Sequence, residues 1–64
     1  MPISKQTARK MLKDAGAERV GDDAASEFAE KLNRLAYSLA KKAVSLAAHA
    51  KRKTVKKEDI DLAS

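Results

Sequence analysis

Apolar residues recur along the middle of the chain at helical spacing. Phe28, Leu32, Leu35, Leu39, Ala43 and Leu46 follow one another at steps of four, three, four, four and three. Such steps keep one face of an α-helix apolar and predict a continuous helix over about residues 22–49. Gly and Pro are absent from it, alanine is dense, and Leu, Lys and Glu fill much of the rest, so propensity agrees with pattern. Asp22 and Asp23 fall in the first turn, where carboxylates meet the positive end of the helix dipole. At ~1.5 Å per residue the segment makes a rod of about 42 Å, too long for the flanking segments to wrap. Much of its apolar face, with Phe28, Leu32, Leu35 and Leu39 as its centre, is therefore expected to meet a second copy of the chain.

Two shorter helices flank this rod. Ser4 can cap a helix over about residues 4–15, with Ala8, Met11, Leu12 and Ala15 on its inner side, and Gly16 suits a left-handed stop. A second short helix is expected over about residues 55–63, with Thr54 as N-cap and Glu58 and Asp59 near its start. Val55, Ile60, Leu62 and Ala63 give that helix an apolar stripe. No segment alternates over strand length. The expected class is all-α, one domain over residues 1–64, ordered short helix, loop, long helix, loop, short helix.

Composition narrows what such a fold can do. The 64 residues contain no cysteine and one histidine, His49. Disulfides, thiolate clusters and imidazole metal sites are therefore excluded, and neither a metal nor a cofactor is expected. No nucleophile stands at a workable spacing from a base, which argues against an enzyme and against a small-molecule substrate. Thirteen residues are alanine, so few large side chains remain to build a core, and chains this short are marginal alone. Oligomerisation is the remaining staple. The N-terminus carries no apolar stretch of a signal peptide, and no apolar run approaches the ~18 residues of a membrane span. The expectation is a soluble, cytoplasmic protein with no membrane partner.

The net charge of +5 is distributed in blocks. Residues 1–13 hold bases without acids, residues 14–30 are acidic apart from Arg19, residues 31–57 hold bases without acids, and Glu58, Asp59 and Asp61 close the chain. Folding can turn such blocks into a basic surface suited to a polyanion. The two loops, Asp14 to Gly21 and Ala50 to Thr54, lie at the block boundaries. Neither has the spacing of a phosphate-cradling glycine loop. For Gly16 and Gly21 the plain reading is helix termination.

As strings, Lys-Asp-Ala-Gly-Ala-Glu-Arg-Val at 13–20, followed by Gly-Asp-Asp-Ala, resembles the first loop and second-helix start of archaeal histones. His-Ala-Lys-Arg-Lys-Thr at 49–54, followed by Val-Lys-Lys-Glu-Asp-Ile, resembles that family's second loop and third-helix start. The two stretches stand at the separation the family's central helix requires, and the likeness covers about residues 4–63. It implies a histone fold and a handshake homodimer in which loop one of each subunit lies beside loop two of its partner. The implied function is to bind, bend and compact double-stranded DNA with little sequence specificity, as a chromosome-associated component of the nucleoid. Tetramers or longer polymers on DNA, and a second histone as alternative dimer partner, belong to the same expectation.

The resemblance also assigns residues. Arg19 is expected to enter the minor groove, where a narrow A·T-rich geometry deepens the negative potential. The mechanism is borrowed from the histone octamer, the standard instance of arginines used in this way. The plainer alternative pairs Arg19 with Glu18, Asp22 or Asp23. Lys53 and Thr54 are expected on phosphate, although the Thr54 hydroxyl is also wanted as a helix cap. Arg52 is expected first to pair with Asp59 and only second to touch DNA. Lys10 and Lys13 form a weaker contact at the end of helix one, with Arg9 as substitute for the family's arginine at position 10. Gly16 matches a position where DNA turns stack closely. Leu46, His49, Asp59 and Leu62 are expected at a dimer–dimer contact, where a histidine–carboxylate bond would respond to pH.

Two features depart from the family. Lys51 stands where glycine is usual, and an ordinary solvated lysine is the expectation there. Family members usually run several residues past the position of Ser64; dimers are expected to tolerate the shorter helix better than long wrapped assemblies. Lys41, Lys42, Lys56 and Lys57 are read as solvated, and Phe28 and Tyr37 as core or interface. The rival readings are a dimerisation module that never touches DNA and an amphipathic membrane-surface helix. The latter is disfavoured by the acids in the long helix's first turns.

Overall fold

The computed structural model describes residues 2–64 and contains three helices: α1 Lys5–Asp14, α2 Asp22–His49 and α3 Lys57–Ala63. No strand occurs among the described residues, so the all-α class expected from the spacing is the observed one. The chain divides into two compact units, one reaching through Arg34 and the other beginning at Leu35.

In the first unit, Ser4 is extended and its hydroxyl accepts the Thr7 N–H at 3.0 Å, which caps α1. Removing such a cap costs about 1 kcal/mol in other helices, a fair gauge of what Ser4 contributes. Upstream of the cap, the side-chain amide of Asn33 grips the backbone of Ile3. The Ile3 N–H donates to Asn33 Oδ1 at 2.6 Å, and Asn33 Nδ2 donates to the Ile3 carbonyl at 3.1 Å. Ala8, Ala25 and Ala29 are buried and Leu12, Phe28 and Leu32 half-buried. Small side chains at Ala8 and Ala25 let the helices approach closely. Met11 and Ala15, expected on the inner side of α1, are exposed instead. Ala8 and Leu12, one turn apart, form the contact line, and Met11 lies beside it.

In the second unit, Ala43 and Ala47 are buried and Leu39, Leu46 and Ala63 half-buried. Leu35 remains 69% exposed and Leu62 74%. Tyr37 also lies outside, with Lys41 Nζ 5.8 Å from its ring centroid. Among the described residues no large side chain is completely buried. Alanines fill the interior of the isolated chain, while much of the heptad-like face of α2 and the leucine of α3 stay in water. Such apolar exposure marks a surface that another chain covers.

Candidate nucleic-acid interface

The first loop begins with the way α1 ends. The Gly16 N–H donates to the Lys13 carbonyl and the Ala17 N–H to the Leu12 carbonyl, both at 3.0 Å. This pair of bonds closes the helix with a left-handed residue, and Gly16 supplies it at φ +120°. An added Cβ would meet nothing within 4 Å, so within the chain Gly16 answers a backbone requirement and not a shortage of room.

Arg9 holds the far side of this loop. Its guanidinium donates to the Val20 carbonyl at 2.7 Å and to Asp22 at 2.9 Å. Lys5 reaches the same carboxylate at 3.0 Å. The hydrogen bond and charge of Lys5, helped by Arg9, hold the Asp22 carboxyl below its ordinary range. Asp23 accepts the Ala24 N–H at 2.8 Å. The acids that could have neutralised Arg19 are thus engaged elsewhere. Among the described residues, Arg19 makes no ion pair or side-chain hydrogen bond and is exposed. Its pairing with Glu18, Asp22 or Asp23 is not seen. Arg9, by contrast, is half-buried and committed to the loop. It shapes the surface on which Arg19 stands and is not a free cation.

The second loop repeats the helix ending. The Lys51 N–H donates to the Ala48 carbonyl and the Arg52 N–H to the Ala47 carbonyl, each at 2.9 Å. Here the left-handed residue is Lys51, at φ +61°, where α1 uses glycine. That conformation costs a residue with a Cβ roughly 1–2 kcal/mol. A cation at a helix C-terminus recovers about 0.3–1 kcal/mol. A net strain remains.

Arg52 then turns back onto α3. Its two terminal nitrogens each meet one Asp59 oxygen at 2.8 Å, and Nη1 also donates to the Thr54 carbonyl at 3.0 Å. Asp59 is 4% exposed and accepts the Lys56 N–H at 2.8 Å as well. The Arg52 bond first, and the Lys56 backbone bond second, lower the Asp59 pKa to about 2 from an ordinary 3.8. The same contact raises the pKa of Arg52. This geometry corrects the expected N-cap. α3 begins at Lys57 with Lys56 as its cap residue, because Asp59, anchored by Arg52, satisfies the Lys56 N–H that opens the helix. Thr54 lies two residues upstream, exposed, and its hydroxyl caps nothing. Cap and phosphate contact therefore do not compete for it.

Because its folded pKa is depressed, Asp59 adds stability that is complete above about pH 4 and is lost as pH falls through about 2. Urea unfolding of the wild type and of Asp59→Asn between pH 2 and pH 6 checks this. The gap between their midpoints is expected to be widest above pH 4 and to close toward pH 2. A gap independent of pH would remove the ion pair from the account. Three N–H donors already occupy the Asp59 oxygens, which leaves little acceptor for a histidine from outside.

The remaining bases sort by partner. Lys31, Arg34 and Lys57 pair along their helices with Glu27, Glu30 and Asp61. Among the described residues, the side chains of Lys10, Lys13, Arg19, Lys51, Lys53 and Lys56 have no acidic partner within 4 Å and all are exposed. They occupy the end of α1 and the two loops. Leu46 and Leu62 line a shallow recess with Lys42, Ser45 and Ala63, and His49 is exposed nearby in sequence. No metal-holding cluster occurs among the described residues, and no helix is long and apolar enough to cross a membrane.

A long central helix between two short ones, with free cations gathered on the connecting loops, defines a small helical histone-fold protein. The family model for histone-like transcription factors (CBF/NF-Y) and archaeal histones matches residues 1–63, and the chain belongs to that family. It is 54% identical over 54 residues to the probable archaeal histone 3 of Methanocaldococcus jannaschii, covering 84% of this chain and 81% of that protein. It is 52% identical over 54 residues, with the same coverage, to the archaeal histone HAN1 of Thermococcus zilligii. The family is one of structural DNA-binding proteins and not of enzymes. The archaeal-histone resemblance carried by the two loop strings is thereby established.

Proposed function

We propose that the chain binds, bends and compacts double-stranded DNA as a head-to-tail homodimer whose central helices cross. One observation carries the reading. At both loops the acids next to the critical bases are engaged within the chain, while Arg19 and Lys53 are left exposed and unpaired. Free cations in fixed loops suit phosphate contacts, and an arginine suits the minor groove. Thr54 adds a free hydroxyl, and Lys10 and Lys13 extend the contact from α1. Arg9 and Arg52 act through the loops they hold.

The dimer reading is supported by Leu35, which stands exposed midway along α2, and by the half-buried Phe28, Leu32 and Leu39. We assign Leu46, His49 and Leu62 to a dimer–dimer contact that extends the assembly on DNA, with Asp59 holding the adjoining helix. The open space before Gly16 suits the close approach of a neighbouring DNA turn. Recognition is mainly of backbone, with preference expressed through bendability. The protein is chromosome-associated in this reading. A dimerisation module that ignores DNA would leave Arg19 and Lys53 without a role.

The test is gel mobility of duplex DNA with wild type and with Arg19→Ala plus Lys53→Ala, with oligomeric state followed by sedimentation. A variant that stays dimeric and loses DNA supports the reading. Equal binding by both proteins overturns it and moves the function to a protein partner.

A further inference from the structure

We propose that Lys51 is an additional DNA contact of this chain, a phosphate-binding lysine held in place by a strained turn. The inference rests on the DNA-binding reading and deepens it. It starts from an asymmetry between two otherwise equal turns. α1 and α2 end with the same pair of backbone bonds, Gly16 and Ala17 donating at one end and Lys51 and Arg52 at the other. The left-handed residue is glycine in the first and lysine, at φ +61°, in the second. Among the described residues Lys51 is the only non-glycine with positive φ. Glycine meets that backbone demand without strain, so packing and turn geometry give no reason for a lysine.

Two structural explanations fall short. A cation at the carbonyl end of α2 is favourable, but the gain is smaller than the strain of the left-handed backbone. An ion pair is also absent: Lys51 is exposed and has no acidic partner within 4 Å among the described residues. The nearest strong acid in the loop's network, Asp59, is taken up by Arg52 and the Lys56 N–H. The charge of Lys51 is therefore unspent within the chain. It sits two residues from Lys53 in a loop whose backbone Arg52 fixes at the Thr54 carbonyl. Strain retained at an exposed position points to a role outside the folded chain, and a positive charge beside a phosphate-contacting lysine points to the same polyanion.

The test compares wild type, Lys51→Gly and Lys51→Arg in DNA titrations at several salt concentrations, with thermal melting of the free proteins. Lys51→Gly is expected to melt higher than wild type, because the turn relaxes, and yet to bind DNA more weakly. Each lost phosphate contact lowers the slope of log K against log salt by ~0.9, so a dimer should lose about 2 and bind roughly tenfold or more weakly near 100 mM salt. Lys51→Arg should keep the wild-type slope. An unchanged slope in Lys51→Gly overturns the proposal and leaves Lys51 a solvated side chain. The Arg19→Ala plus Lys53→Ala variant, run alongside, separates the two levels. If it binds as wild type does, the DNA reading fails; if it loses DNA while Lys51→Gly keeps its slope, only the role of Lys51 fails.

Discussion

Raising salt from 50 to 200 mM is expected to weaken DNA binding by about 10³–10⁵-fold, the range for a protein that neutralises ~6–10 phosphates. Those contacts are available from the chain as folded. Lys10, Lys13, Arg19 and Lys53 are exposed without acidic partners, and a dimer doubles the number. The bases that would otherwise inflate the count are accounted for inside the molecule. Lys5, Arg9 and Arg52 stand against Asp22 and Asp59, and Lys31, Arg34 and Lys57 against acids one helical turn away. Their charges are already compensated and should contribute little to counterion release. Fluorescence titration of a short duplex across that salt range measures the slope. A flat response would mean that the free cations do not meet phosphate.

Replacing Arg19 and Lys53 together by alanine is expected to lower affinity near 100 mM salt by about 10³-fold. That figure takes four charges lost per dimer, each worth close to one decade in counterion release. Both side chains are exposed and make no bond within the chain, so folding should be spared. The variant should therefore sediment as wild type does. Arg52→Ala makes an instructive contrast, because it unlinks the loop from Asp59 and the Thr54 carbonyl. Loss of stability should accompany any loss of DNA binding there. Only the combination of intact assembly and lost DNA identifies a contact residue.

The order of helices is legible in the sequence because the apolar period is long and uninterrupted, and because Ser4 and Gly16 are strong local signals at the two ends of α1. The start of α3 is not at Thr54, where local preference puts it. A threonine before an apolar run is a good cap by that preference, but the bidentate pair of Arg52 with Asp59 sets which N–H is satisfied, and that pair joins residues seven apart. The grip of Asn33 on Ile3 leaves no signal at all, since it joins residues thirty apart through one side-chain amide. Arg9 is visible as a base but not as a loop brace, because charge blocks do not say which acid a base will find. Arg19 stands out by its isolation among acids, although only the folded chain reveals that Asp22 and Asp23 are engaged elsewhere. Lys51 is visible as a departure from glycine, while its left-handed backbone appears only in the turn itself.

The alanine interior of the isolated chain has a consequence for how much of this protein a cell can hold. With Ala8, Ala25, Ala43 and Ala47 as the most deeply buried apolar residues, a lone chain has few large side chains to keep it folded. In the proposed dimer, association and folding become one event, and the folded fraction rises with chain concentration by mass action. A newly made chain is then exposed to proteases until it meets a mate, and the dimer is held further by DNA. Free duplex thus becomes the reservoir that decides how many copies survive, and supply adjusts to the length of genome left uncovered.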